Sequence, residues 1–357
     1  MKKTIPAISI IIPMYNTEKY IGECLESLRV QTFQDFEVIV VDDCTTDNSC
    51  AVVENYIPKF GGRLKLYHTE KNSGGPGTPS NLGVALSRGK YVYVIDNDDL
   101  LVNNALEILY NYAEKSDADV VNMLYHAEFI SDTEKPFPAP QNMIVRNWQP
   151  DKASEVVTET ENLGERVQNF CNGKINVTAW SKFIRRDFLI ENEIVFPTNI
   201  SAGADFSWTI EVLCTAEKIL HISQPLYIYR HRKSSITHFN RENGKVNFWN
   251  EIIINGVIFL ADFLSKQKFF IENPQYQFAL LEYFETSHFN QAVAGYVNIP
   301  APEIYSALKS NLKNKFTANN DLIAYLCTSA GLSHLKEKIL TQRIIELENK
   351  LKQLQGG

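Results

Sequence analysis

The chain has 357 residues, of which 44% are hydrophobic, 22% charged and 11% aromatic, the balance of an ordinary globular protein rather than a disordered one. A length of this order exceeds what one core usually serves, so two or three structural units are expected. The formal net charge of -7 gives no general attraction to nucleic acid, so no nucleic-acid partner is expected and any phosphate must be handled at a local site.

The start, MKKTIPAISIIIPMYN, sets two lysines before an apolar run as a secretion signal does, but the run is short and is cut by Pro6 and Pro13. No apolar stretch reaches the roughly 18 residues of a membrane span, and a cytoplasmic protein is expected. Four short β-rich runs follow in the first hundred residues: Ile8–Ile12, Phe36–Val41, Leu64–Tyr67 and Tyr91–Ile95. Between them lie helix-period segments, such as Ile21, Leu25 and Leu28, or Leu82, Ala85 and Leu86. The alternation predicts a parallel sheet covered by helices on both faces, since continuous apolar runs mean strands buried on both sides. Thr78-Pro79 has the pattern of an N-cap followed by proline in the first turn, so the glycine loop Gly74–Gly77 is expected to run into a helix N-terminus. A further helix carries Leu106, Leu109, Tyr110 and Ala113 on one face, and a fifth strand is expected at Val120–Tyr125.

From 127 to about 155 the periodicity fades and Pro136, Pro138, Pro140 and Pro150 accumulate, which reads as a long irregular connector beside an acceptor cleft. Mixed helices and strands return up to residue 240, and a helical pattern runs beyond 245, with an aromatic-rich stretch at Phe278–Phe289. Leu340, Ile344, Leu347, Leu351 and Leu354 recur at spacings of 4, 3, 4 and 3, a short heptad seam that fits either a homo-oligomer or a helix docked on its own domain. The resulting division is 1–125, a donor-binding part; 126–240, an acceptor-side part; 241–332, a helical region; and 333–357, an amphipathic tail. The six cysteines, Cys24, Cys44, Cys50, Cys171, Cys214 and Cys327, form no CxxC pair and are expected to be reduced, buried thiols.

Ligands of such sheets collect beyond the carboxyl ends of the strands, and the residues there are polar: Pro13–Glu18, Asp42–Asp47, Asn72–Gly77 and Asp96–Asp99. The cluster Asp96-Asn97-Asp98-Asp99 offers hard oxygen ligands suited to Mg²⁺ or Mn²⁺, although acids at strand ends also cap the next helix. A metal held there would stabilise charge on a departing diphosphate. A carboxylate at Asp42-Asp43 can accept the imide N–H of uracil, and Asn72 can flank the base. The glycines of 74–77 let backbone approach a ligand closely, as they do in ordinary turns.

The segments ISIIIPMYNTEKYIGECLESLRVQTFQDFEVIVVDDCTTDNS and NSGGPGTPSNLGVALSRGKYVYVIDNDDLL resemble, over about one hundred residues, the inverting family 2 glycosyltransferases of the GT-A fold. A fainter continuation lies in WSKFIRRDFLIENEIVFPTNISAGADFSWTIEVL and PLYIYRHRKSSIT. The resemblance implies an α/β GT-A fold, a Rossmann-like mixed sheet flanked by helices with a helical C-terminal region. It implies transfer of a sugar from a nucleotide-diphosphate donor, with UDP the expected nucleotide, to a glycan, lipid-linked or protein acceptor. Surface polysaccharide or glycoconjugate synthesis, with peripheral contact at the inner membrane face, is the implied setting.

By the same resemblance Asp205 matches the catalytic base. Pro13, Tyr15, Asn16, Glu18, Asp43 and Asn72 match nucleoside contacts, Asp96 and Asn97 ribose or donor contacts, and Asp98 the metal ligand. His231 is a candidate late metal ligand, and Arg230, Arg232 and Ser234 stand where a basic segment steadies the diphosphate. Trp180, Trp208 and Lys182 are candidates for the acceptor cleft, with core packing the alternative for the tryptophans. Two positions depart from the pattern: Ala204 replaces the Glu of a usual Glu-Asp pair, and Ser80 replaces an Arg before the glycine-loop Asn. These departures carry the alternative function, a catalytically weak nucleotide-sugar-binding or scaffold protein. A phosphohydrolase built on VIDNDD alone lacks its companion motifs.

Overall fold

The computed structural model describes residues 5–130, 155–200, 203–231 and 246–296, with Leu340, Thr341, Arg343, Ile344, Ile345 and Leu347 of the tail. The chain divides into two compact units, Met1–Ser235 and Ile236–Gly357.

In the first unit the elements run β1 (Ile8–Met14), α1 (Ile21–Arg29), β2 (Phe36–Asp42), α2 (Ser49–Tyr56), β3 (Leu64–His68), α3 (Gly77–Leu86), β4 (Tyr91–Val94), β5 (Leu100–Leu101), α4 (Ala105–Ser116), β6 (Val120–Met123) and β7 (Ala127–Ile130). They continue with β8 (Val156–Thr158), α5 (Leu163–Cys171), β9 (Lys182–Arg185), α6 (Arg186–Glu191), α7 (Ala204–Thr215), β10 (Ile219–Ile222) and β11 (Tyr227–His231). The main sheet has the order β3-β2-β1-β4-β9-β6-β10-β8. Its first four strands are parallel, as the alternating pattern predicts. Strand β9 then enters antiparallel between β4 and β6, and β8 closes the far edge antiparallel to β10, so the sheet is mixed. A small second sheet, β5-β11-β7, stands beside the acidic turn that follows β4.

The core follows directly from the apolar runs. Every residue of β1 and β2 is buried, and α1 presses Ile21, Cys24, Leu25 and Leu28 onto one face of the sheet. Helix α4 adds Leu106, Leu109 and Ala113 to the same cluster. Two local expectations need correction. Helix α3 begins at Gly77, with Pro76 already helical at its cap and no side-chain cap from Thr78. The fifth strand ends at Met123 rather than Tyr125.

The predicted connector after residue 127 contains strand β7, and its remaining residues 131–154 lie outside those described. The second unit holds helices Val246–Lys266, Lys268–Glu272 and Pro274–Tyr296, with Leu260, Leu264, Phe270, Leu281 and Phe284 buried. The described tail residues are helical, and Leu340, Ile344 and Leu347 are each more than half exposed; Leu351 and Leu354 lie outside the described residues. No described helix is long and apolar enough to cross a membrane. Cys24, Cys44, Cys50, Cys171 and Cys214 are free thiols, and Cys327 lies outside the described residues.

Helix α3 reaches the sheet only because residue 83 has no side chain. A Cβ on Gly83 would lie 2.3 Å from Cγ2 of Ile11, itself fully buried in β1. Overpacking of this kind costs about 1–3 kcal/mol, so Gly83→Ala should lower the unfolding free energy by that amount, read as a lower urea midpoint at unchanged slope. A midpoint equal to that of the parent protein would show that α3 can move off the sheet.

Candidate active site

Four strand ends meet at one side of the sheet, and their loops are joined edge to edge. The turn after β1 is held against the loop after β2: Asn16 N–H donates to Thr45 Oγ1 (2.9 Å), Thr17 N–H to Ser49 Oγ (2.8 Å) and Glu18 N–H to Asp47 Oδ2 (3.0 Å). Asn16 adopts the left-handed region (φ 49°), which Asn tolerates, and its side-chain oxygen accepts from Thr46 N–H at 2.8 Å. Glu18 turns its carboxylate to the backbone and side-chain N–H groups of Asn48, both at 3.0 Å. Tyr15 presents its ring to solvent, 45% exposed.

Asp43 performs the next closure. Its carboxylate accepts from Thr69 Oγ1 and Ser73 Oγ, each at 2.8 Å, and from Ser73 N–H at 3.0 Å. Asn72 donates to the Asp43 carbonyl at 3.0 Å and accepts from Gly74 N–H at 2.9 Å, with Gly74 in the left-handed region. Beyond Gly74 the loop enters α3. There Gly77 lies so near Pro197 that a Cβ would sit 2.3 Å from its carbonyl oxygen. Asn81 fixes the same segment through paired 2.8 Å bonds to Phe196 N–H and C=O. Phe196 in turn stacks on Trp208 of α7, 4.3 Å between ring centroids. The glycine loop and the helix that carries Asp205 thus share one strut.

The acidic turn is built around its last member. Asp99 is fully buried and accepts from Tyr227 O–H and from Arg230 N–H, both at 2.7 Å. Tyr227 O also receives the N–H of Asp96 at 3.1 Å. Burial, then the charges of Asp98 and Asp96, push the Asp99 carboxyl well above the usual range. The Cys24 thiol beneath is raised by burial and by the same three acids. Arg230 is buried between the rings of Tyr20 and Phe129, with Nε on the Asp98 carbonyl (2.8 Å) and its outer nitrogen on Glu23. The expectation that Arg230 steadies a diphosphate is therefore corrected: it braces the turn. Arg232 and Ser234 lie outside the described residues. Asn97 donates to the Pro13 carbonyl at 2.6 Å, which joins the acidic turn to the end of β1, and its buried Oδ1 finds no partner among the described residues.

His231 pairs through Nε2 with Glu128 Oε2 at 2.9 Å, and the other Glu128 oxygen lies 3.1 Å from His126 Nε2. Among the described residues the one group of three or more ligating side chains within 4.8 Å of one another is Asp42, Cys50 and His68, so Asp98 and His231 do not belong to a ready-made cluster.

Asp205 sits in the first turn of α7, half-buried, with Phe206 N–H on its Oδ1 at 3.1 Å. Burial raises its carboxyl while the Lys182 ammonium pulls it back. Lys182 is itself buried and pushed down to about 7 by that burial, with Asp205 opposing. Its Nζ is held by the Asn176 and Thr178 carbonyls at 2.7 and 2.8 Å and by Ser181 Oγ at 3.1 Å. From Ser181 a buried polar chain continues to Asn122 (3.4 Å), His221 (3.0 Å) and Glu159 (2.8 Å). Lys182 and Trp208 are thus interior groups and do not line a cleft. Trp180 is buried as well, stacked on Tyr227 at 4.2 Å. Ala204 and Ser80, the two departures, are both buried, so an acid or an arginine at either place would need an internal partner.

A parallel half with an acidic turn at the end of β4, continued by a mixed half that carries a carboxylate at a helix N-terminus, has the layout of the GT-A fold. Residues 9–190 match the profile of glycosyl transferase family 2, and the chain belongs to that family. The glycosyltransferase GlyG of Streptococcus pneumoniae is 32% identical over 233 residues, covering 64% of this chain and 72% of that protein. The poly(ribitol-phosphate) beta-N-acetylglucosaminyltransferase TarS of Staphylococcus aureus is 32% identical over 223 residues, which span 62% of this chain and only 35% of TarS. The crystal structure of TarS 1–349 superposes with TM-score 0.61 at 21% identity, covering 94% of this chain and 91% of that one, a likeness of fold. The same TarS fragment is known in complex with UDP-GlcNAc (TM-score 0.52, 23% identity, 87% and 93% covered).

Asp99 was legible as an acid but not as an anchor, since its partner Tyr227 stands 128 residues away. Its folded carboxyl holds a proton more tightly than the unfolded chain does, so its contribution to stability is present at acid pH and is lost as pH rises through its folded value. Tyr227→Phe removes the hydroxyl that accommodates the charged form. The variant should lose about 1–3 kcal/mol in urea titrations at a pH above the folded value of Asp99, and less below it, where Asp99 keeps its proton. An equal loss at both pH values would detach the hydroxyl from the titration of Asp99.

Proposed function

We propose that this protein is an inverting, metal-assisted glycosyltransferase that takes a sugar from a UDP-linked donor and builds surface polysaccharide or another glycoconjugate. The single observation that carries the reading is the placement of two kinds of carboxylate: an acidic turn at the end of β4, where the nucleotide loops meet, and Asp205 at the start of α7. The UDP-GlcNAc complex of TarS and the poly(ribitol-phosphate) in that enzyme's name support the donor and acceptor classes.

In this reading Tyr15 offers a ring face to uracil, and Asp43, already holding the loop through Thr69 and Ser73, accepts the imide N–H with its remaining lone-pair capacity. Asn72 flanks the base, Asn16 shapes the turn below it, and Asp96 and Asn97 meet ribose. The acidic turn suits a divalent cation because the charges of Asp98 and Asp96 already raise the buried Asp99 and Cys24, a field that a cation relieves. Asp98 would hold Mg²⁺ or Mn²⁺, joined by His231, whose pairing with Glu128 orients the imidazole as carboxylates orient metal-binding histidines. Such an ion supplies positive charge against the departing diphosphate.

Asp205 accepts the proton of the acceptor hydroxyl as that oxygen forms its bond to the anomeric carbon. The bond from that carbon to the diphosphate oxygen breaks on the opposite face, and the electron pair leaves with the nucleoside diphosphate. One displacement inverts the configuration. Burial raises the Asp205 carboxyl, which strengthens it as a proton acceptor, and Lys182 keeps it from being raised further.

Two measurements test this. Calorimetric titration of UDP should show binding with Mn²⁺ that EDTA abolishes and that Asp98→Ala loses; metal-independent binding would remove Asp98 from the donor site. Asp205→Asn should bind UDP as the parent does and lose turnover by roughly 10²–10⁴-fold, the usual share of general-base catalysis. Full activity in that variant would reassign the base, and donor binding without transfer in the parent would favour the scaffold reading.

A further inference from the structure

We propose that Asp42, Cys50 and His68 form a second cation site, chemically unlike the acidic turn, that takes a borderline divalent transition ion of the Zn²⁺ class. One ligand atom from each lies within 4.8 Å of the other two. Three elements converge to place them. Asp42 ends β2, His68 ends β3 as its register partner, and Cys50 stands in the first turn of α2. His68 Nδ1 is 3.0 Å from Asp42 Oδ2, while Asp42 Oδ1 accepts from Thr45 N–H at 3.0 Å. The carboxylate is thereby fixed by a backbone donor on its far oxygen, the kind of outer support that orients metal ligands.

A tetrahedral ion with bonds of about 2.0–2.3 Å sets its ligand atoms roughly 3.3–3.8 Å apart. His68 Nδ1 and Asp42 Oδ2 stand at 3.0 Å and no pair is more than 4.8 Å apart, so side-chain rotations complete the site. The donor set decides the ion: thiolate and imidazole with a single carboxylate select Zn²⁺ and its neighbours, whereas the all-carboxylate turn at Asp98 suits Mg²⁺ or Mn²⁺. Asp42 is buried, Cys50 half-buried and His68 largely exposed, so the ion enters from the His68 side and a water completes the coordination. On binding, the sulfur–metal bond replaces the S–H bond and the Cys50 proton passes to solvent, with no change of oxidation state. The ion ties the ends of β2 and β3 beside Thr69 and Asp43, under the loop that carries Asn72.

The test is titration of the full, EDTA-treated chain with Co²⁺ in the presence of excess Mg²⁺. The parent should develop a near-ultraviolet thiolate-to-Co²⁺ charge-transfer band that saturates at one ion per chain. Cys50→Ser should abolish the band, His68→Ala should weaken Co²⁺ affinity at least tenfold, and Asp98→Ala should leave both unchanged. Circular dichroism of each variant reports folding, and His68, being exposed, can be replaced without disturbing the core. No band in the parent, a band that survives Cys50→Ser, or unaltered affinity in His68→Ala would each overturn the proposal. Because UDP binding is not part of the readout, failure here leaves the transferase reading untouched.

Discussion

A buried carboxyl, Asp99, is the point on which the turn after β4 and the small sheet beside it depend. It ties the turn after β4 to β11 through the Tyr227 hydroxyl and the Arg230 N–H, and so docks the small sheet against the large one. Arg230 then reaches back over Tyr20 to Glu23 and to the Asp98 carbonyl, locking the backbone that presents Asp98. Removal of water from these groups is costly, and the cost is offset because each charge has a directed partner. The two acids ahead of Asp99 thereby occupy a fixed rim rather than a mobile loop.

The same economy of parts marks the other loops. Asn16, Asp43 and Asn72, the nucleoside contacts of the proposed function, each close a contact between neighbouring strand ends. A site made this way is organised before any ligand arrives, which lowers the ordering entropy that binding must overcome. The strut from Asn81 through Phe196 to Trp208 extends that order to α7, so Asp205 and the glycine loop are positioned by one framework.

The parallel half was legible in the sequence because strands buried on both faces leave unbroken apolar runs, and because the polar residues at their ends follow a spacing particular to one family. The other half resisted for physical reasons. Strand β9 inserts antiparallel between β4 and β6 although its residues come some sixty positions after β6, and no local pattern records that pairing. Lys182 reads as a surface or cleft residue, since nothing adjacent in the chain announces the two carbonyls and the hydroxyl that bury it. Arg230 reads as a phosphate ligand for the same reason: its partners Glu23 and Asp98 are supplied by distant elements. Where Ala204 stands in place of an acid, the fold gives the position to the core.

The buried chain from Glu159 through His221, Asn122 and Ser181 to Lys182 has a consequence for how the protein is made. Its members come from β6, β9, β10 and the segment after β8, so it cannot close until residue 221 has left the ribosome. The parallel block β1 to β4 needs only the first hundred residues and can condense earlier, as N-terminal parts do during synthesis. A nascent chain can therefore pair β1 to β4 well before Lys182 is seated beside Asp205, whereas the turn after β4 is fixed only once Tyr227 and Arg230 of β11 follow.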